Sequence, residues 1–216
     1  MKSITTIIAL IFLTIATVSC SASAFPISQS SAAGTVLFSD DFSDPNSGWE
    51  TWTQNGSSVS YQDGTLRIFV NEPQFSFWSR PGKRYDDVSI QVDATRMGGP
   101  EDNDMGILCR YKNEDNFYAF LISSDQYGGI VKVVEDEYVL LTGDSLQYID
   151  AIKTGGASNT IGAVCLGTSL TLYVNGEKVA SAEDSEFTTG EIGLSAGTYD
   201  IPGVDIAFDN FVATKP

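Results

Sequence analysis

Twenty-eight aspartates and glutamates, three cysteines and no histidine define the chemistry open to this 216-residue chain. Without an imidazole there is no Ser-His-Asp or Cys-His nucleophile, no His-ligated zinc and no proton shuttle of the usual kind. Carboxylate chemistry and oxygen-ligated cations remain. The enzymatic form this could take is glycoside hydrolysis by two carboxyl groups about 5 to 10 Å apart. Glu101, Asp102 and Asp104, in the loop 98–104, are the nearest candidates, and their ordinary reading is a solvated connection.

Aromatic side chains offer a second chemistry, because a ring face beside hydrogen-bonding groups holds a sugar ring. Most of the rings here are expected in the core: Tyr118 belongs to an inward set with Phe120 and Ile122, and Trp49 beside Gly48 plugs one end of the fold. Trp78, just before Ser79-Arg80-Pro81, and Tyr127, between Gln126 and Gly128, are the two that packing does not clearly use, so they are the expected stacking platforms. Arg110 follows Cys109, and in a regular strand an inward Cys109 turns Arg110 outward, its guanidinium fork free for a polar contact. The bland alternative is a surface salt bridge.

Charge narrows the partners. Twelve Lys and Arg against 28 Asp and Glu give a formal −16, which argues against an electrostatic grip on nucleic acid or an anionic membrane. Lys2 followed by the apolar run 7–18 reads as an export leader, too short for a comfortable membrane span. Ala16-Thr-Val-Ser-Cys20 reads as a lipobox, with Thr17 where Leu is usual, and Cys20 becomes the acylated N-terminus. Cleavage after Ala22-Ser-Ala24, releasing a secreted chain that starts at Phe25, is the alternative. The expected organisation is a signal peptide over 1–19, a Ser/Ala-rich tether over 20–34 and one folded domain over 35–216. Loss of Lys2 with the leader leaves 12 − 1 = 11 basic residues and a charge of 11 − 28 = −17, so membrane contact is expected only through the lipid.

The elements that must carry these side chains are strands. Val88, Ile90, Val92 and Ala94 alternate with polar neighbours, as do Val204, Ile206 and Phe208. Similar runs at 36–42, 65–70, 74–78, 105–112, 117–123, 129–134, 137–142, 160–166, 170–174, 178–181 and 190–195 bring the expected strands to about thirteen. Asn175-Gly176 predicts a two-residue type I′ hairpin, because both positions need positive φ. Only 145–152 could hold a helical turn. So many short strands without helices to cover a parallel sheet imply an all-β, two-sheet antiparallel sandwich. Cys109 and Cys165, the only cysteines in the body, sit among apolar neighbours and read either as a disulfide of an exported protein or as two small core residues.

Four segments, Phe38-Ser-Asp-Asp-Phe-Ser-Asp-Pro-Asn-Ser-Gly-Trp49, Arg110-Tyr-Lys-Asn-Glu-Asp-Asn-Phe-Tyr-Ala-Phe120, Leu172-Tyr-Val-Asn-Gly176 and Phe208-Asp-Asn-Phe211, together resemble the concanavalin A-like jelly rolls of the LamG and glucanase type, particularly those of exported bacterial envelope proteins. The resemblance covers about 36–214 and implies a jelly-roll sandwich, a fold that hosts lectins, binding modules, glycosidases and adhesive domains alike. It also implies that the chain ends pair as neighbouring strands, which would bring Asp40, Asp41, Asp205 and Asp209 near one another. Asp41 and Asp209 are accordingly the expected ligands of a Ca²⁺ site, against the plainer reading of a solvated acidic edge. The glucanases of this fold carry Glu-x-Asp-x-x-Glu or a close variant along one strand, and no strand here does. The expectation is therefore a cell-surface binding domain for glycan without catalysis. An interaction domain for an envelope protein is the first alternative and a glycosidase the second.

Overall fold

The computed structural model describes residues 34–216. The leader, Cys20 and all of the tether except Gly34 lie outside the described residues. In chain order the strands are β1 Val36–Asp40, β2 Trp52–Gln54, β3 Ser57–Gln62, β4 Thr65–Val70, β5 Ser76–Ser79, β6 Arg84–Tyr85, β7 Val88–Gly98, β8 Asn103–Asn113 and β9 Asn116–Ile122. They continue as β10 Tyr127–Val134, β11 Glu137–Leu140, β12 Gln147–Tyr148, β13 Asn159–Leu166, β14 Ser169–Val174, β15 Glu177–Glu183, β16 Gly190–Thr198 and β17 Val204–Thr214. The first sheet runs β15-β14-β13-β7-β17-β4-β3-β2, with β1 paired to β17; the second runs β11-β10-β9-β8-β16-β5, with β12 on β10 and β6 on β16. The chain ends pair antiparallel, Asp40 opposite Phe211.

Periodicity finds the strands that are long and apolar. It misses β2, β6 and β12, of two or three residues, and β3, whose Ser57-Ser-Val-Ser-Tyr-Gln62 is too polar to show a clear stripe. The segment 145–152 contains β12 and a turn, and among the described residues there is no helix. At the β14–β15 hairpin Asn175 and Gly176 have φ of 51° and 86°, as a type I′ turn requires.

The main core lies between the sheets. Val88, Ile90, Val92 and Ala94 of β7 meet Met105, Ile107 and Cys109 of β8 and Tyr118, Phe120 and Ile122 of β9 in it. Cys109 is bonded to Cys165 of β13, so the disulfide ties one sheet to the other. With the two cysteines 56 positions apart in sequence, the chain-entropy argument assigns it about 4 kcal/mol. Trp49 closes one end: its ring packs on Phe42 and Phe211, and its indole N–H donates to Asp40 Oδ2 at 2.9 Å.

Strict alternation fails at Arg110. Glu191 of β16 pairs with Tyr111 and Gly193 with Leu108, so Cys109 and Arg110 together stand opposite Ile192 alone. This is a β-bulge, with Arg110 at φ 54°. A side chain at position 190 would overlap the Arg110 backbone, so Gly190 is what lets β16 approach. The extra residue reverses the phase of β8: Tyr111 lies on the outer face, not beside Cys109, and Arg110 is not outward but buried, 1% exposed. Its guanidinium donates to the carbonyls of Asp86 at 3.0 Å and Phe187 at 2.8 Å and pairs with Asp87 at 3.3 Å.

A second apolar cluster occupies the outer face of the second sheet: Leu108, Tyr111, Phe117, Ala119, Leu121, Val131 and Val133, with Trp78 and Leu140 against them. Strands β8, β9 and β10 are thus buried on both faces. The segment after β11 folds back over this face, since a Cβ on Gly129 would meet Leu140, Thr142 and Leu146.

Candidate functional site

That outer face forms a groove of about 650 Å³. One wall is Trp78 and Ser76 of β5, the other Tyr138 and Leu140 of β11, and the floor comes from Asp104 of β8, Phe117 and Leu121 of β9, and Val131 and Val133 of β10. Strands β5 and β11 are the two ends of the sheet order. Their side chains line one cavity only because the sheet curves, so the face is concave.

Trp78 belongs to an aromatic wall. Its ring centroid is 6.0 Å from that of Tyr111 and 5.9 Å from that of Phe117, while Tyr111 and Phe117 stack at 5.6 Å. The Arg80 guanidinium, 4.3 Å from the Tyr111 centroid, braces this stack, and Arg80 is itself held by Glu50 at 2.7 Å and Glu191 at 3.0 Å. The wall is therefore fixed by packing, and Trp78 remains half-exposed toward the groove.

The floor is polar at one point. Asp104 is 8% exposed, and burial pushes its carboxyl up to about 7, against a smaller opposing effect of the Ser76 hydroxyl. Tyr138, 62% exposed, faces it from the far wall; partial loss of water and then the Asp104 charge raise its phenol, against a hydrogen bond with Ser76. Tyr199, after β16, is raised by burial and then by Asp104. Beneath them a recess of about 10 Å³ is lined by Ser76, Trp78, Asp104, Tyr138 and Ser195, among others. Ser195 Oγ, in a residue 4% exposed, has no hydrogen-bond partner.

The expected site residues divide. Trp78 is in the groove and Arg110 is not, because the bulge commits its fork to the two carbonyls and Asp87. Tyr127, 43% exposed on β10, does not line the groove; its ring meets Tyr148 edge-on at 6.1 Å. Of the three loop carboxylates only Asp104 reaches the groove, while Glu101 pairs with Arg96 at 3.1 Å and burial raises Asp102. The groove residues that periodicity passed over are Ser76, Tyr138, Ser195 and Tyr199. One signal was present: Phe117-Tyr-Ala-Phe-Leu-Ile122 is apolar at both parities, which means a strand covered on both faces.

The acids near the chain ends are occupied by their own surroundings. Asp40 accepts from Trp49 and Phe42, and Asp205 forms a two-point pair with Arg67. Asp41 caps the turn at Ser43, whose hydroxyl and backbone N–H hold its carboxyl below the usual range. Asp209 caps Asn210 and lines a separate hollow of about 350 Å³ with Asp63 and Asp93; Asp41 does not line it. Among the described residues no three acidic, Cys or His side chains converge as a metal would require.

No family model and no curated protein matches the sequence. Solved structures resemble it in fold. A carbohydrate-binding module, CBM66, from Bacillus subtilis aligns with a TM-score of 0.64 at 15% identity, over 78% of this chain and 96% of that one. A protein of unknown function with a galectin-like fold, also from Bacillus subtilis, aligns at 0.61 and 12% identity over 85% and 97%. A β-glucanase from Bacillus licheniformis aligns at 0.60 and 13% identity over 86% and 100%. The fold is a jelly-roll sandwich of the concanavalin A-like type. Identities this low show the architecture alone, and the neighbours include both a binding module and an enzyme.

Proposed function

We propose that this protein binds carbohydrate in the concave groove without turning it over. The observation that carries the reading is the meeting, in one cavity, of a braced aromatic wall at Trp78 with the polar side chains of Ser76, Asp104 and Tyr138. A sugar presents the same two surfaces, an apolar ring face and a hydroxylated edge. A binding module among the structural neighbours supports the reading. Hydrolysis would need a second carboxyl working with Asp104 across a scissile bond, and the other acids lining the groove, Glu114 and Asp136, are exposed rim residues.

The apolar run after Lys2 and the lipobox-like segment ending at Cys20 support a site of action at the bacterial cell surface, with a lipid on Cys20 holding the domain to the membrane. Fatty-acid labelling that marks the wild type and misses Cys20→Ala supports the anchor; equal labelling of both removes it.

A glycan array followed by calorimetry tests the binding. Trp78→Ala should weaken an array-selected ligand by about tenfold, because removing the ring takes away the apolar face against which the sugar packs, worth on the order of 1 kcal/mol or more, while Tyr127→Ala leaves it unchanged. An empty array on folded protein would favour the alternative of an envelope interaction domain.

A further inference from the structure

We propose that the groove selects sugars bearing a protonated amine, with the ammonium group seated on Asp104. The inference rests on the carbohydrate reading and specifies the class of carbohydrate.

Asp104 is the anomaly that carries it. Other acids partly shielded from water have a cation or two donors beside them: Asp205 has Arg67, Asp184 has Lys132 at 2.7 Å, Asp40 accepts from Trp49 and Phe42, and Asp93 accepts from Thr160 and Asn210. Asp104 takes part in none of the ion pairs among the described residues, and no Lys or Arg lines the groove. The titratable groups around it are Tyr138 from β11 and Tyr199 after β16, with Glu114 and Asp136 farther along the groove; Asp102, Asp125 and Asp200 act on one another or on Tyr199. Strands β5 and β9 put only Ser76, Trp78 and apolar side chains into it. A carboxylate in such a place lacks a counter-charge, and burying one unpaired is costly. A ligand cation supplies the missing partner.

The recess fits an ammonium head in shape and in hydrogen-bonding capacity. At about 10 Å³ it admits a group about the size of one water molecule. An ammonium donates three hydrogen bonds, and the recess is lined by the Asp104 carboxylate and the hydroxyl-bearing Ser76 and Tyr138. The Asp104 carboxyl and the Ser76 hydroxyl sit in the space that a side chain at Gly197 would fill, since a Cβ there would collide with both. Trp78, in the same recess, adds an aromatic face to a cation. Anionic sugars meet three acids in the groove and a chain of formal charge −16.

Ionisation of Asp104 near neutral pH makes the pairing inexpensive and gives it a signature. Seating an ammonium displaces the Asp104 proton, so below pH 7 binding releases a proton to the buffer.

Calorimetry on the full exported chain, with a glucosamine tetramer, its N-acetylated counterpart and a glucose tetramer as probes, decides the matter. The glucosamine tetramer should bind about tenfold tighter than the other two, as expected for a hydrogen bond to a charged group. At pH 6 its binding enthalpy should change with the ionisation enthalpy of the buffer. Asp104→Asn should abolish both the preference and the buffer dependence. If that variant fails to fold, Ser76→Ala should reduce the preference, and the wild-type buffer dependence must still be seen. Equal or tighter binding of the N-acetylated or glucose tetramer overturns the amine preference while leaving the carbohydrate reading intact. Failure of all three tetramers together with an empty array overturns both.

Discussion

Asp104 of β8 and Gly197 of β16 stand opposite one another in the ladder, and the side chain absent at 197 is the space the Asp104 carboxyl occupies. The groove floor therefore depends on a glycine for room, not for backbone freedom, since Gly197 has no positive φ. In Gly197→Ala the new methyl would drive Asp104 and Ser76 apart. We expect a loss of about 1–3 kcal/mol in urea denaturation, typical of an overpacked site, together with weaker ligand binding. Unchanged binding would show that the carboxyl position does not matter.

Asp104 also sets a pH dependence of stability. Its carboxyl ionises at about 7 in the folded chain against 3.8 when unperturbed. The folded state therefore keeps a proton that the unfolded chain has lost, and the group's contribution is full below about pH 4 and disappears as the pH rises through about 7. The difference of roughly three units corresponds to about 4 kcal/mol. Urea midpoints at pH 4.5 and pH 8 should fall more steeply for the wild type than for Asp104→Asn. Parallel curves would refute the assignment.

Arg110 is a structural residue. Arg110→Met leaves the carbonyls of Asp86 and Phe187 without their donor, at a cost of about 2–5 kcal/mol in chemical denaturation. Arg110→Lys should not restore it, because one ammonium cannot reproduce the fork over three acceptors. Groove binding by the folded fraction should stay within twofold of wild type. A large loss of affinity at full folding would return Arg110 to the site.

The inter-sheet disulfide should show as no free thiol in the denatured, unreduced domain beginning at residue 35. The double variant Cys109→Ala, Cys165→Ala should lose about 4 kcal/mol, mostly through a less constrained unfolded chain. Two titratable thiols would contradict the bridge.

Within the fold, legibility followed locality. The β7 stripe and the Asn175-Gly176 hairpin are each encoded within a few consecutive residues, and both stand where periodicity and turn chemistry put them. Arg110 was misread for the complementary reason. Whether a strand continues its alternation or bulges depends on the partner strand, here on Gly190 eighty positions on, and no local pattern around Cys109 announces it. Tyr127 opens β10 and meets Tyr148 of β12 edge-on, a pairing made by a segment about twenty residues on that no local pattern shows.

By itself, then, the sequence determined the all-β class, the inward pair Cys109 and Cys165, the lack of any imidazole and the formal charge of −16, all of which follow from composition or from period-two order. The tertiary structure alone decided the groove. Ser76, Asp104, Tyr138 and Ser195 lie on β5, β8, β11 and β16, and only antiparallel pairing and the curvature of the second sheet bring them to one recess. The unusual ionisation of Asp104 is a property of that recess, because a carboxyl shifts with the water and charges around it and not with its neighbours in the chain.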